Sequence, residues 1–277
     1  MCDVSEVELH YGSATDVGRV REMNQDAFLA QPPVFVVADG MGGHDDGEVA
    51  SRFVVEEFGR LTDAGCDSTR GAELVIATLQ ACHDRLMEHR EHKRADGHEN
   101  WFAGTTAVVA LVVEDEGVPK WLLANLGDSR LYKMTDGELD QVSVDHSVVQ
   151  ELFDAGEITA ADMHTHPRRN VVTRSLGGPA FDHPDFFLLP LASAERLVLC
   201  SDGVSGMIDD DEIGRILADS PDPRDAAERV VAAAVEAGGR DNATAVVVDV
   251  VGLARSGASY DSEQQRMSLE DKLGALP

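Results

Sequence analysis

Three aspartates stand where short apolar runs begin or stop. Phe35-Val36-Val37-Ala38 runs into Asp39-Gly40, Val198-Leu199-Cys200-Ser201 runs into Asp202-Gly203, and Asp241-Asn242 comes just before the apolar run 245–251. A single Asp-Gly is ordinary turn chemistry. Three carboxylates carried to one place by central strands repel one another unless cations lie between them, so together they point to a metal centre. Neither Cys nor His joins them at these points, and an oxygen-only set suits Mg²⁺ or Mn²⁺ rather than Zn²⁺. Around the first aspartate the chain reads Asp39-Gly40-Met41-Gly42-Gly43-His44. Glycine permits close backbone approach, which makes the Gly40 carbonyl a candidate ligand as well. A phosphate-cradling nucleotide loop does not fit, because no Lys-Ser or Lys-Thr follows the glycines.

The apolar runs 34–38, 107–113, 121–124, 197–200 and 245–251 are too short for helices and rich in Val and Leu, and so read as strands buried on both faces. Within 107–143, Glu114-Asp115-Glu116-Gly117 and Asp136-Gly137 mark turns that suggest an antiparallel meander. Helical spacing of Val49, Phe53, Val54, Phe58 and Leu61 predicts a helix over 48–61. Leu74, Thr78, Ala81, Cys82 and Leu86 predict another over 69–89. A third, over 223–237, has Asp222 as its N-cap, Pro223 at its first position and Gly238-Gly239 at its end. Strands in groups with helices between the groups suggest an α+β layered domain.

With 51 acidic against 23 basic residues the formal charge is −28, which excludes a nucleic-acid binder whose affinity rests on Lys and Arg. The same charge repels an anionic substrate unless bound divalent cations reverse the sign locally. No apolar stretch approaches the roughly 18 residues a membrane helix needs, and the first residues lack a signal peptide's basic start and apolar middle, so the expected location is cytoplasmic. Cys2, Cys66, Cys82 and Cys200 are scattered without a C-x-x-C pair and read as reduced thiols. After Gly252 the composition turns polar, so 252–277 reads as a loosely ordered tail, with a short helix over 269–276 as the alternative.

Set in order along the chain, the motifs resemble the metal-dependent protein phosphatase family (type 2C, PPM), in its bacterial serine/threonine branch. The matching segments are Thr15-Asp16-Val17-Gly18 with Arg21 and Asn24-Gln25-Asp26; Asp39-Gly40-Met41-Gly42-Gly43-His44; Gly104-Thr105-Thr106; Gly127-Asp128-Ser129-Arg130; Asp145-His146-Ser147; Arg168-Arg169-Asn170 through Thr173-Arg174; Ser201-Asp202-Gly203; and Arg240-Asp241-Asn242. The resemblance implies an αββα sandwich of two antiparallel β-sheets flanked by helices, with a catalytic domain over 8–251. It implies hydrolysis of phosphoserine and phosphothreonine by a water activated at a binuclear Mg²⁺ or Mn²⁺ centre, with a third, weaker ion. By position, Asp39 bridges two ions and Gly40 gives its carbonyl to one, while Asp202 and Asp241 complete the other. Asp128 and Asp202 hold the third ion. Asp26 and Gln25 bond the ions' water ligands, although many relatives carry Glu where Gln25 stands.

Arg21 matches the residue that clamps the substrate phosphate, and its planar fork suits two phosphate oxygens. Some animal relatives place a proton-donating His where this chain has Met41, which cannot donate. A water is then expected to protonate the leaving group, and His44 is read as part of the loop. The segment 149–170 lies where bacterial relatives carry a flap beside the site, and His164 and His166 within it read as incidental. The implied partners are phosphorylated proteins, among them a Ser/Thr kinase and its substrates, for a monomer that binds neither nucleic acid nor membrane. A serine hydrolase built on Gly127-Asp128-Ser129 lacks a partnered late His and Asp. The remaining alternative is a catalytically weak regulatory or binding protein of the same fold, which would be expected to have lost carboxylates that this chain retains.

Overall fold

Val, Leu and Ala succeed one another in this chain in stretches of five to seven residues, and β-branched side chains pack well on a pleated surface. A computed structural model describes residues 7–42, 46–61, 68–99 and 101–251. In chain order its strands begin with β1 (Glu8–Asp16), β2 (Asp26–Gln31), β3 (Val34–Gly42), β4 (Ala103–Thr105), β5 (Ala107–Asp115) and β6 (Val118–Leu126). They continue with β7 (Arg130–Thr135), β8 (Glu138–Gln141), β9 (Asp185–Pro190), β10 (Arg196–Cys200) and β11 (Ala243–Val251). One sheet has the order β1-β11-β10-β7-β8 and the other β2-β3-β5-β6-β9, with β4 paired to the end of β3. The strand pairs are antiparallel throughout.

The alternation of side chains across each strand explains why both faces are apolar. Phe35, Val37, Val108 and Leu123 point between the sheets and meet Leu131, Leu199 and Val246 from the other side. Their neighbours Val34, Val36, Ala38 and Val109 face outward onto α1 (Asp46–Phe58) and α2 (Ser68–Ala95), through Ala50, Val54, Phe58 and Leu79. On the opposite exterior Val198, Cys200, Ala245 and Val247 pack on Ile213, Ile216, Ala226 and Val230, which belong to α6 (Asp210–Ala218) and α7 (Pro223–Glu236). Four layers, helix–sheet–sheet–helix, follow from strands with two buried faces.

Two expectations are corrected. The segment 107–143 is not one meander: β5 pairs with β6 and β7 with β8, but the two pairs lie in different sheets. The chain crosses between sheets at Gly127, whose φ of +115° and close contact with Thr106 exclude a side chain. The helix expected to end at residue 89 runs to Ala95, because Arg, Glu and Lys sustain helix after the apolar stripe stops. Its last turn carries His92, Lys93 and Arg94, which suit the negative end of the helix dipole.

The third helix follows its signals. The Asp222 carboxylate accepts the Arg224 amide, Pro223 occupies the first turn, and the amides of Gly238 and Gly239 close the other end on Val235 and Ala234. Cys82 and Cys200 are buried free thiols, and burial pushes both up to about 12. Among the described residues no helix is long and apolar enough to cross a membrane. Cys2, Cys66, Gly43, His44 and the segment 252–277 lie outside the described residues.

Candidate active site

The antiparallel register of β2 and β3 sets Asp26 directly opposite Asp39. Like charges so placed destabilise a sheet, yet the backbone here is held firmly. The Asp39 amide donates to Thr106 Oγ1 at 3.0 Å, and its carbonyl accepts the Thr105 hydroxyl and the Thr106 amide, both at 2.9 Å. At Gly40, β3 passes against the start of α1, and any side chain there would run into the carbonyls of Gln25 and Gly47.

Asp202 and Asp241 come from the facing sheet. β10 and β11 are adjacent and antiparallel, so the end of one and the start of the other bring these residues to the same edge. Asp202 opens α5 (Asp202–Ser205). The hydroxyl of the preceding Ser201 donates to Asp26 Oδ2 at 2.7 Å and accepts the Thr244 amide at 3.0 Å. Asn242 fastens the N-terminal loop to this edge. Its carbonyl oxygen accepts the Gln25 amide at 2.8 Å, and its NH₂ donates to Val17 O at 2.9 Å and Met23 O at 2.8 Å. Because β3 belongs to the opposite sheet from β10 and β11, the carboxylates meet across the sandwich rather than along one sheet edge.

Asp128 sits on the crossing between β6 and β7. The Gly127 amide before it donates to His146 Nδ1 at 3.1 Å, which leaves the proton on Nε2, facing Asp185 at 3.3 Å. Ser129 after it is fully buried, its hydroxyl 2.7 Å from that of Thr106. A serine so enclosed is no nucleophile. Thr106 therefore touches both the Asp39 backbone and Ser129, and links the strand that carries Asp39 to the crossing that carries Asp128.

These groups share one electrostatic environment. Burial, followed by the charges of Asp26, Asp202, Asp128 and Asp241, holds Asp39 well above the usual carboxylate range. Asp26 is pushed up to about 7, chiefly by burial and against hydrogen bonds from Thr244 and Ser201. Asp128 is pushed up to about 8 by burial and then by Asp202 and Asp145, and Asp202 is raised by burial and by Asp241. Oδ1 of Asp26 is buried without a hydrogen-bond partner. Hard oxygen donors, mutual repulsion and an orphaned buried oxygen together fit divalent cations.

Among the described residues, no three acidic, His or Cys side chains are placed to enclose an ion by themselves. The position of Asp241 accounts for part of this. Both its oxygens are taken by Arg21, Nε to Oδ1 at 2.8 Å and Nη2 to Oδ2 at 2.7 Å. The guanidinium expected to face a phosphate is thus paired with an expected ion ligand. The pair is partly exposed, worth about 0.2–1 kcal/mol, and is readily exchanged for stronger partners.

Gln25 lies behind the centre. Its carbonyl accepts the Gly40 amide at 3.2 Å and the Ser51 hydroxyl at 2.6 Å, and its side chain lies against Gly47. The side chain of Met41 packs beside Gly104 and carries no proton to give. The segment 149–170 forms α3 (Val148–Asp154) and α4 (Ala160–Met163). It rises from a neck in which the Val148 amide donates to Val171 O at 2.9 Å and the Thr173 amide to His146 O at 2.8 Å. His166 Nδ1 accepts the Arg168 amide at 3.2 Å, so this histidine closes a turn. Sequence reasoning gave no role to Thr106, Ser129, Asn242 or His146. All four stood inside quoted motifs, but small polar residues there signal turns as readily as buried links.

The family model described as "Protein phosphatase 2C" matches residues 18–237. The chain is similar to "Serine/threonine protein phosphatase PstP" of Mycobacterium tuberculosis, 34% identical over 247 residues that span 88% of this chain and 45% of that protein. It thus spans about half the length of that relative. It is similar also to "Serine/threonine phosphatase stp" of Listeria monocytogenes, 34% identical over 87% of this chain and 96% of that one. Among solved structures, the catalytic domain of PstP in complex with two manganese ions superposes with a TM-score of 0.75 at 33% identity, over 89% of this chain and 99% of that one.

Raised carboxylate pKa values set a pH dependence. Asp26 and Asp128 bind protons more tightly folded than unfolded, so they stabilise the metal-free protein below the ordinary aspartate range near 3.8, and this contribution is lost as pH rises through about 7 to 8. In EDTA the melting temperature should therefore fall between pH 4 and 8, and Mn²⁺ should reverse the fall. Asp39→Asn removes one repelling charge and should make the slope shallower. A metal-free melting temperature that climbs over that interval would refute this electrostatic picture.

Proposed function

The chain belongs to the protein phosphatase 2C family, and we propose that it hydrolyses phosphoserine and phosphothreonine monoesters in proteins with the help of divalent cations. The observation that carries this reading is the placement of Asp39 in the field of Asp26, Asp128, Asp202 and Asp241, beside Arg21. Asp39, Asp202 and Asp241, with the Gly40 carbonyl, would hold two Mn²⁺ or Mg²⁺ ions, and Asp128 with Asp202 a third. Bound there, such ions lower the pKa of water and neutralise charge on phosphoryl oxygens.

The side chains do the rest by position. Arg21, once parted from Asp241, presents its fork to two oxygens of the phosphoryl group. Asp26, fixed by Ser201, and Gln25 orient water around the centre. Met41 has no proton to transfer, so water in the site protonates the leaving oxygen. Phosphorylated proteins are the substrate class, and a Ser/Thr kinase with its targets is the kind of partner that supplies them.

Hydrolysis of a phosphothreonine peptide should require Mn²⁺ or Mg²⁺ and drop by more than about 100-fold in EDTA. Undiminished turnover by metal-stripped protein would end this reading. Arg21→Ala should lower kcat/KM for a small aryl phosphate by about 10- to 100-fold, since a charge-assisted contact is worth about 1.5–3 kcal/mol. An unchanged kcat/KM would show that Arg21 does not touch phosphate. Asp128→Ala should leave two ions tightly bound while raising the Mn²⁺ concentration needed for half-maximal turnover, because few protein oxygens make a weak site. If instead the variant only loses thermal stability and its metal-activation curve is unaltered, Asp128 merely closes the crossing.

A further inference from the structure

Two arginines beside this site carry no ion pair among the described residues. Arg19 follows Gly18, whose amide is fixed to Asp16 Oδ1 at 2.7 Å, and the Arg19 amide itself donates to Gly239 O at 2.7 Å. Arg240 leaves the same turn on its other side, directly before Asp241. A Cβ on Gly239 would lie 3.2 Å from Arg19 Cγ, and one on Gly238 would lie 4.0 Å from Arg240 Nε. Both arginine side chains therefore run along this turn of two glycines, and both residues are exposed. Arg19 stands two residues before Arg21 and Arg240 directly before Asp241, and Arg21 and Asp241 are paired with each other. The loop that carries Arg19 is held by Asn242 through Val17 O and Met23 O, so the backbone of Arg19 is set by the hydrogen bonds that build the site itself.

A chain with 51 acidic residues offers many carboxylates to its 23 basic ones, and Arg52, Arg85, Arg130, Arg196 and Arg215 each take one. Arg19 and Arg240 take none among the described residues, and they meet at the turn that leads into Asp241, the partner of the residue assigned to the phosphate. We propose that they form a second anion subsite, which selects phosphopeptides bearing another phosphate or acidic side chain close to the scissile phosphate. This rests on the phosphatase reading of the site. An extended peptide advances about 3.3 Å per residue, so a second anion two residues away lies about 7 Å from the first. A guanidinium fork suits phosphate and carboxylate alike. The subsite also answers the charge problem, because a surface of net charge −28 otherwise disfavours acidic peptides.

The test compares kcat/KM, in Mn²⁺, for a neutral-flanked phosphothreonine peptide with peptides carrying a second phosphothreonine or a glutamate two residues before or after. Wild-type protein should favour at least one acidic peptide by about 3- to 10-fold, the scale of two exposed charge contacts, and lose the preference at about 0.5 M salt. In the double variant Arg19→Ala, Arg240→Ala the ratio should fall to about one, and in the Arg→Lys double variant it should be intermediate. Both peptides are turned over by the same folded fraction, so the ratio does not depend on how much of a variant folds. A preference reproduced by glutamate assigns the subsite to acidic side chains generally, and one seen only with phosphate assigns it to a second phosphoryl group; either supports the proposal. A wild-type ratio of one or below, or a preference untouched in the double variant, overturns it. Failure of the wild type to hydrolyse a small aryl phosphate in Mn²⁺ would instead remove the phosphatase reading, and this inference with it.

Discussion

Repulsion among carboxylates at one end of the sandwich is the constraint around which the local structure is arranged. Two unit charges 4 Å apart in surroundings of effective dielectric near 20 cost about 4 kcal/mol, a large part of the net stability of an ordinary domain. The chain keeps five aspartates within one another's field all the same. Their backbones are carried on strands with two buried faces, so the packing of three apolar clusters holds the acids together. Local relaxation that would separate them is opposed by both sheets at once.

Neutral groups occupy the space between the charges. Thr106 joins Asp39 to Ser129, and Ser201 joins Asp26 to the Thr244 amide. The Thr244 hydroxyl continues to Thr15 at 2.7 Å, and Thr15 accepts from Asn24 at 2.8 Å. A hydroxyl both donates and accepts, so such a chain fixes a carboxylate without neutralising it. Arginines in these positions would have relieved the repulsion and removed the reason for a cation to bind. Among the described residues the one guanidinium that does reach an expected ligand, Arg21 on Asp241, is more than half exposed and so weakly committed. Behind Asp128, by contrast, the half-buried Arg130 grips Asp145 through Nε and Nη2, and Tyr132 passes the contact on to Asp210 at 2.9 Å. Asp145 is thus paired behind the centre, whereas Asp26, Asp39, Asp128 and Asp202 within it take no cationic partner among the described residues.

Much of the fold and of the acid set was legible in the residues themselves. Asp39, Asp202 and Asp241 were visible because short apolar runs begin or end at them, and strand alternation with two buried faces follows from uninterrupted Val and Leu. Asp222, Pro223 and Gly238-Gly239 announced α7 because capping is local chemistry that a sequence displays directly. The resemblance of the ordered motifs supplied Asp128, Arg21, Gln25 and Asp26, which no periodicity singles out.

Tertiary structure decided what depends on partners distant in sequence. That β6 and β7 belong to different sheets turns on the crossing at Gly127, and its close contact is with Thr106, 21 positions earlier. Asp26 faces Asp39 only through the β2–β3 register, and Ser201 reaches Asp26 across 175 positions. Asn242 binds the backbone of Val17, Met23 and Gln25, and Arg21 pairs with Asp241 across 220 positions. Sequence by itself determined which residue types could bind a hard cation and which stretches had to be buried, because those are properties of side chains and their immediate neighbours. Which carboxylate shares its surroundings with which, and which arginine is left unpaired, emerged only once two sheets closed on each other, because burial and proximity are relations between segments rather than properties of any one of them.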